Sequence, residues 1–221
     1  KKFGSAVATS ATRVTVTNID CPTGPYGTFN FASDNTTLGL SKGLLLTSGD
    51  ANLAIGPNDT GNATFAFNGT GDPDLDYLSE QLGNGTPSTD ACIVELDVFV
   101  ATDELSFEYV FGSEEYPEFV DSDFNDFFAF LISGTGIVGD PGLSNTAKNI
   151  AVLPGTNTPV QINSVNQLLN WQYYRNNFGS ETIQYDGLAS GSLGIKKSLT
   201  ARSAVTPCNT YHLKLAVADR Q

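Results

Sequence analysis

Six carboxylates are crowded into thirteen residues near the middle of the chain. They are Glu114, Glu115, Glu118, Asp121, Asp123 and Asp126, and Asn125 lies beside the last of them. Carboxylates at this density repel one another unless water or a bridging cation screens their charges. Calcium takes about six to eight oxygen ligands from carboxylates, amides, carbonyls and water. The stretch therefore predicts either a calcium site or a solvated acidic loop. The ligands predicted for the calcium site are Glu114, Glu115, Asp121, Asp123, Asn125 and Asp126.

Two strand-like segments enclose the acidic stretch and must position it. Residues 105–111 alternate between apolar and polar side chains, which is typical of a half-buried strand. Residues 127–132 are apolar on both faces, as in a strand buried between two layers. The acidic stretch lacks the glycine and the terminal glutamate of an EF-hand loop, so it is not that motif. We expect a turn between two central strands.

Strand patterns recur along the whole chain and are separated by turns rich in glycine and proline. Further strands are predicted at residues 12–18, 44–47, 91–100, 147–153, 160–165, 181–185, 199–205 and 211–218. One short helix is predicted at residues 74–82, with Asp72 as its N-cap and Pro73 as its first residue. This pattern predicts an all-β fold. We expect residues 1–221 to form a single-domain, jelly-roll-like β-sandwich with long loops and at most one or two short helices.

The charge of the chain excludes several classes of partner. The 221 residues carry a formal net charge of −13, and the isoelectric point is about 4.2. Nucleic acid binding depends on basic patches, so we exclude nucleic acid as a partner. The chain contains no run of about 20 apolar residues, so we predict no direct membrane insertion. The negative charge favours divalent cations and cationic partners.

Some residues of the chain have side chains that could take part in catalysis or sugar binding. The acidic stretch could supply the paired carboxylates of a glycan hydrolase, and Trp171, Tyr173 and Tyr174 could stack on a sugar. The single histidine, His212, has no evident nucleophile, and Ser113 lacks the flanking residues of a nucleophile elbow. We therefore predict that the protein is not an enzyme. A carbohydrate-binding module that uses the three aromatic residues stays open as an alternative.

The chain has three cysteines, and their spacing does not form a zinc motif. Cys21 and Cys208 both lie in predicted turns, where a disulfide could tie the two ends of the chain together. Cys92 lies within a predicted strand and is expected to be a buried thiol. We therefore predict a disulfide between Cys21 and Cys208.

Five segments of the sequence carry a resemblance to a known family. In chain order they read T-S-G-D-A-N, G-D-P-D-L, Y-V-F-G-S-E-E-Y-P-E-F-V with F-N-D-F-F-A-F-L-I-S-G, N-I-A-V-L-P-G-T-N-T-P-V, and C-N-T-Y-H-L-K-L-A-V-A-D. Together they resemble the choice-of-anchor L domain. The resemblance implies an extracellular β domain of a bacterial cell-surface or secreted protein, without an assigned enzymatic activity. Such domains continue beyond the positions of residues 216–219, so it also implies that this chain lacks its final strand and its C-terminal anchor.

From the residues and the resemblance we expect a non-enzymatic extracellular module for adhesion or assembly that is stabilised by calcium. Its partners would be other copies of itself, neighbouring surface proteins or glycans. Addition of a strand to an unpaired sheet edge would allow filaments to form. A carbohydrate-binding module is the alternative, and a glycan hydrolase is a third hypothesis.

Overall fold

The computed structural model describes residues 11–31, 38–83, 85–122, 126–191 and 198–220. These residues form twelve strands, one α-helix and three short 3-10 helices. The strands are β1 (Ala11–Asp20), β2 (Tyr26–Asn30), β3 (Lys42–Leu46), β4 (Thr89–Val100), β5 (Glu104–Tyr109), β6 (Phe111–Ser113), β7 (Phe127–Ser133), β8 (Lys148–Asn149), β9 (Tyr174–Asn176), β10 (Gly187–Ala189), β11 (Leu199–Ala204) and β12 (Asn209–Asp219). The α-helix is α1 (Pro73–Glu80), and the 3-10 helices are Ala51–Ala54, Ser144–Thr146 and Trp171–Tyr173.

The main sheet has five antiparallel strands in the order β1-β4-β12-β7-β8. Its register places Leu213 of β12 opposite Leu96 of β4 on one side and Ile132 of β7 on the other. Because side chains alternate between the faces of a sheet, these three residues lie on one face. All three are buried, and they form the centre of the core.

A second layer of strands packs on that face. It consists of the pair β5–β11, the group β6-β10-β9 and the hairpin β2–β3. Aromatic contacts join the two layers: the ring centroids of Phe111 and Phe128 are 4.8 Å apart, and those of Phe107 and Phe130 are 5.1 Å apart. The two layers bury a shared apolar core, so the predicted all-β sandwich is confirmed.

Helix α1 covers part of the opposite face of the main sheet. Asp72 caps it by accepting hydrogen bonds from the backbone N–H groups of Asp74 and Leu75, and Pro73 is its first residue, as the sequence predicted. Leu75 is buried in a second, smaller apolar cluster against this face. Lys214 of β12 binds the carboxylates of Asp72 and Asp74 at 2.5 and 2.7 Å. None of the described helices has the length and apolar character needed to cross a bilayer.

The structure contains a disulfide between Cys21 and Cys92. The register pairs Asp20 of β1 with Ile93 of β4, so the next residue of the first strand comes opposite Cys92, and the two Cα atoms are 4.2 Å apart. Cys208 is an exposed free thiol.

The predicted Cys21–Cys208 bridge is therefore wrong, as is the prediction that Cys92 is a buried thiol. Cys208 precedes Asn209, which pairs with Val100 at the far end of β4. At about 3.3 Å per residue, the eight residues from Cys92 to Val100 separate the two ends of that strand by roughly 25 Å, which no disulfide can span.

Candidate functional site

Residues 114–122 form the acidic turn, which begins where β6 ends and is anchored by Tyr116. The Tyr116 side chain is fully buried, and its hydroxyl donates to the carbonyl of Val165 at 2.6 Å. The backbone of Gly187 approaches the Tyr116 ring so closely that an added Cβ would lie 2.4 Å from it. This packing fixes the backbone on both sides of Tyr116. The side chain of its neighbour, Glu115, is thereby held near the end of the main sheet.

Three carboxylates meet at that end of the sheet: Glu115, Asp126 and Asp219. One carboxylate oxygen from each lies within 4.8 Å of the others. The strand register explains the pairing of the two aspartates, because Ala218 of β12 is opposite Phe127 of β7. Asp219 follows the first of these residues and Asp126 precedes the second, so antiparallel pairing brings them together. Ser113 donates its hydroxyl to Asp126 Oδ2 at 3.1 Å.

Burial in this cluster disfavours negative charge. Burial raises the pKa of Glu115 to about 7, and the charge of Asp219 adds to this rise. The N–H of Asp126 donates to Glu115 Oε2 at 3.3 Å, and this hydrogen bond opposes the rise. Burial also raises the pKa of Asp126 well above its usual range, and the charges of Glu115 and Asp219 raise it further. Asp126 Oδ1 is buried without a hydrogen-bond partner among the described residues. A hard cation is one kind of partner that would satisfy this buried oxygen.

An apolar cavity of about 1300 Å³ adjoins the three carboxylates. It lies between the main sheet and the second layer, and its lining includes Phe107, Phe111, Phe128 and Leu44 as well as the cluster itself. Apolar walls remove water from one side of the cluster, and desolvation is the main cause of the raised pKa values of Glu115 and Asp126.

The structure brings together two of the six ligands predicted from the sequence, Glu115 and Asp126. Glu114 points elsewhere: its Oε2 accepts from the backbone N–H of Ala63 at 3.4 Å. Asp121 is exposed, and its N–H donates to Asn163 Oδ1 at 2.7 Å. The remaining two predicted ligands, Asp123 and Asn125, lie outside the described residues.

Sequence reasoning missed Asp219 as a member of the cluster. This residue is 93 positions from Asp126, and only the pairing of β12 with β7 joins them. The available signal was the position of Asp219 at the end of one strong strand pattern and of Asp126 at the start of another. That signal indicates proximity only when the two strands are known to be antiparallel neighbours.

The predicted sugar-stacking residues do not form one exposed surface. Trp171 is 60% exposed, and Leu168 and Leu169 beside it are also exposed. Tyr173 and Tyr174 are partly buried and pack against the main core. The ring of Tyr174 lies 5.1 Å from that of Tyr116, measured between centroids. Of the three aromatic residues, Trp171 thus presents most of its surface to solvent.

His212 takes part in an ion-pair network on the face of the main sheet that carries α1. Its Nδ1 lies 3.0 Å from Asp97 Oδ1, and its Nε2 lies 2.8 Å from Glu95 Oε2. Partial burial lowers the pKa of His212, but the hydrogen bonds to both carboxylates outweigh that effect and raise it overall. The histidine therefore bridges two strand carboxylates.

The family model of the choice-of-anchor L domain matches residues 4–221. No curated protein and no solved structure matched the chain.

Proposed function

Because the chain belongs to the choice-of-anchor L domain family, we propose that it is a non-enzymatic extracellular module of a bacterial cell surface whose fold is stabilised by calcium. The family consists of surface-associated modules and is not a known enzyme family. The observation that carries the proposal is the convergence of Glu115, Asp126 and Asp219 at one end of the main sheet. Its role on the surface is adhesion or assembly, with neighbouring surface proteins or other copies of the chain as partners.

Calcium suits this cluster better than a transition metal does. The three ligands are carboxylates, and oxygen-only sites favour hard cations over zinc or copper. Calcium tolerates irregular coordination and completes its shell with water, whereas magnesium demands a near-ideal octahedron at shorter distances. The ion would also satisfy Asp126 Oδ1, which is buried without a hydrogen-bond partner among the described residues.

A bound ion would join the acidic turn to the ends of two strands of the main sheet. Glu115 belongs to the turn after β6, Asp126 precedes β7, and Asp219 ends β12. The ion would remove the repulsion among them and fix the acidic turn against the main sheet. A module exposed outside the cell, where calcium is abundant, gains rigidity from such a cross-link.

Thermal unfolding of the purified protein in calcium chloride and in chelator tests the proposal. At a calcium concentration about 100 times the dissociation constant, mass action stabilises the fold by about 2.7 kcal/mol. For a domain of this size, that free energy raises the melting temperature by about 5–10 °C. Asp219→Asn should abolish most of the increase.

Asp103→Asn is the matched control for that variant. Asp103 is exposed and lies outside the cluster, so its replacement should leave the calcium-dependent increase intact. Equal melting temperatures of the wild-type protein with calcium and with chelator would overturn the proposal.

Carbohydrate binding is the second candidate function, and the exposure of Trp171 is the observation that favours it. A glycan array probed with the wild-type protein and with Trp171→Ala tests this candidate. Phe178→Ala is the matched control, because Phe178 is another exposed aromatic residue, at 73%. Binding that Trp171→Ala removes and Phe178→Ala retains would support a sugar site. Binding that both variants retain would contradict a sugar site at Trp171.

A further inference from the structure

Glu114 belongs to a second group of buried oxygen atoms, distinct from the three-carboxylate cluster. Whereas Glu115 contacts the Asp126 N–H, Glu114 contacts the backbone of a loop at residues 56–63 through the Ala63 N–H. Asp186 faces the same loop, since a Cβ built on Gly61 would lie 4.0 Å from Asp186 Oδ2. Because Gly61 and Ala63 are two residues apart, the two carboxylates lie beside the same short stretch of backbone.

The loop at residues 56–63 is fastened to the segment that leads into β10. The N–H of Gly56 donates to the Thr182 carbonyl at 3.1 Å, and the N–H of Asn58 donates to the Ser180 carbonyl at 2.7 Å. The side chain of Gln184 donates to the Thr60 carbonyl at 2.6 Å. These bonds hold the loop in a defined position above Asp186.

Asn58 supplies the observation that points to a ligand. Its side chain is buried, with 4% of the residue exposed, and its Nδ2 donates to Asp186 Oδ1 at 2.8 Å. The amide oxygen is bonded to the same carbon as Nδ2, so it lies within about 5 Å of that carboxylate oxygen. Yet Asn58 Oδ1 has no hydrogen-bond partner among the described residues.

Glu114 also has a buried oxygen whose hydrogen-bonding capacity is not satisfied by the described residues. Its Oε1 is buried and has no partner among the described residues. Burial and the charge of Asp186 raise the pKa of Glu114 to about 7, although the Ala63 N–H and Gln184 oppose the rise. The ion pairs found in the described part of the chain involve neither Glu114 nor Asp186. Within the described ranges, the Asn58 amide oxygen and Glu114 Oε1 thus have no hydrogen-bond partner, and the carboxylates of Glu114 and Asp186 have no ion-pair partner.

We propose that Asn58, Glu114 and Asp186 bind a second divalent cation of the calcium type through the Asn58 amide oxygen and the two carboxylates. Amide and carboxylate oxygens are ligands that calcium uses, and water would complete the shell. The ion fastens the loop at residues 56–63 to the turn after β6 and to the start of β10. This inference rests on the function proposed above only for the identity of the ion, because its ligands are different.

Calcium titration calorimetry of the whole 221-residue protein tests this site. We expect two bound ions in the wild-type protein. Glu114→Gln should remove one and Asp219→Asn the other, with at least a tenfold loss of affinity at the altered site. Retention of both ions by Glu114→Gln would overturn the second site. Retention of both by Asp219→Asn, with loss of one in Glu114→Gln, would instead reject the first site and leave the second standing.

A second variant keeps the test decisive if Glu114→Gln folds poorly. Asn58→Asp keeps an oxygen at the ligand position but places a third carboxylate beside Glu114 and Asp186. Without calcium this variant should melt below the wild-type protein, and calcium should raise its melting temperature by more than it raises that of the wild-type protein. An equal or smaller calcium-induced rise would contradict the site.

Discussion

Burial controls the ionisation of two adjacent residues in the acidic turn. Glu114 and Glu115 both have pKa values raised to about 7, from an ordinary value of 4.5, and loss of hydration is the main cause for each. They face different groups: Asp186 acts on the first and Asp219 on the second. Because the two carboxyl groups have different neighbours, we expect pH and bound cations to change the ionisation of each one separately.

The first prediction concerns pH dependence in the absence of divalent cations. Between about pH 4.5 and 7 the folded protein holds protons on Glu114 and Glu115 that the unfolded chain has already released, so stability falls as pH rises. His212 acts in the same direction, because its raised pKa gives stability that is lost as pH rises through that value. We expect the melting temperature of calcium-free protein to fall from pH 5 to pH 8.

Saturating calcium should remove most of this decline, because the ion stabilises the ionised carboxylates. Thermal unfolding of desalted protein at four pH values, with and without calcium, measures the effect. Glu115→Gln should flatten the calcium-free profile in part. A melting temperature that rises steadily over this range would show that the raised pKa values do not govern stability.

At the scale of elements, β12 contributes side chains to both faces of the main sheet. Its alternate residues Tyr211, Leu213 and Leu215 enter the core, while Lys214 faces α1. Lys214 joins the N-terminus of the helix to the sheet through Asp72 and Asp74, whose side chains are almost fully buried. One strand therefore supports both the sandwich core and the docking of the helix.

The second prediction is that Lys214→Met destabilises the protein by about 3 kcal/mol. Removal of one partner from a buried ion pair leaves uncompensated charge, which is costlier than losing the pair as a whole. Here two carboxylates lose their cation. Urea unfolding at pH 7 gives the difference. Lys148→Met is the matched control, because Lys148 is an exposed lysine on β8 of the same sheet, and its change should stay within about 0.5 kcal/mol.

The strand patterns that could be predicted from sequence were those with clear alternation. Residues 91–100 and 211–218 place an apolar side chain at every second position, and β4 and β12 cover both segments. Residues 160–165 are apolar enough to resemble a strand, and Val160, Ile162 and Val165 are indeed buried. However, the N–H groups of Ser164 and Val165 both donate to the Gln161 carbonyl, so the segment is a turn. The composition of this segment indicates that its side chains are buried, but it does not determine which hydrogen bonds the backbone forms.

The membership of the carboxylate cluster and the cysteine pairing were harder to predict for one shared reason. Asp219 meets Asp126, and Cys21 meets Cys92, because particular strands are neighbours in the main sheet. A local pattern identifies a strand but contains no information about the strand beside it. The acidic turn itself was identifiable because its carboxylates are close in sequence.

At the scale of the whole molecule, the disulfide closes a long loop around the early part of the chain. Cys21 and Cys92 are 71 positions apart in the sequence, and the segment between them includes β2, β3 and α1. Restricting the unfolded chain by a loop of this length contributes about 4 kcal/mol in the loop-entropy model. The bond also accords with an extracellular location, where disulfides persist.

The third prediction follows from this covalent restriction. Cys21→Ser combined with Cys92→Ala should lower the free energy of unfolding by about 2–4 kcal/mol, as measured by urea denaturation under oxidising conditions. Cys208→Ser is the control and should leave stability unchanged, because that thiol is free and exposed. Destabilisation by Cys208→Ser as large as that of the double variant would contradict the observed pairing.

The same bond determines how far the protein can be stretched. Tension that runs along the backbone crosses directly from Cys21 to Cys92, so the residues enclosed between them bear no load. An extended residue spans at most about 3.3–3.6 Å. The disulfide, whose cysteines are 71 positions apart, therefore prevents roughly 240 Å of the chain from being extended. Once force has unfolded the domain, reduction of this one covalent bond adds about this length to the extended chain.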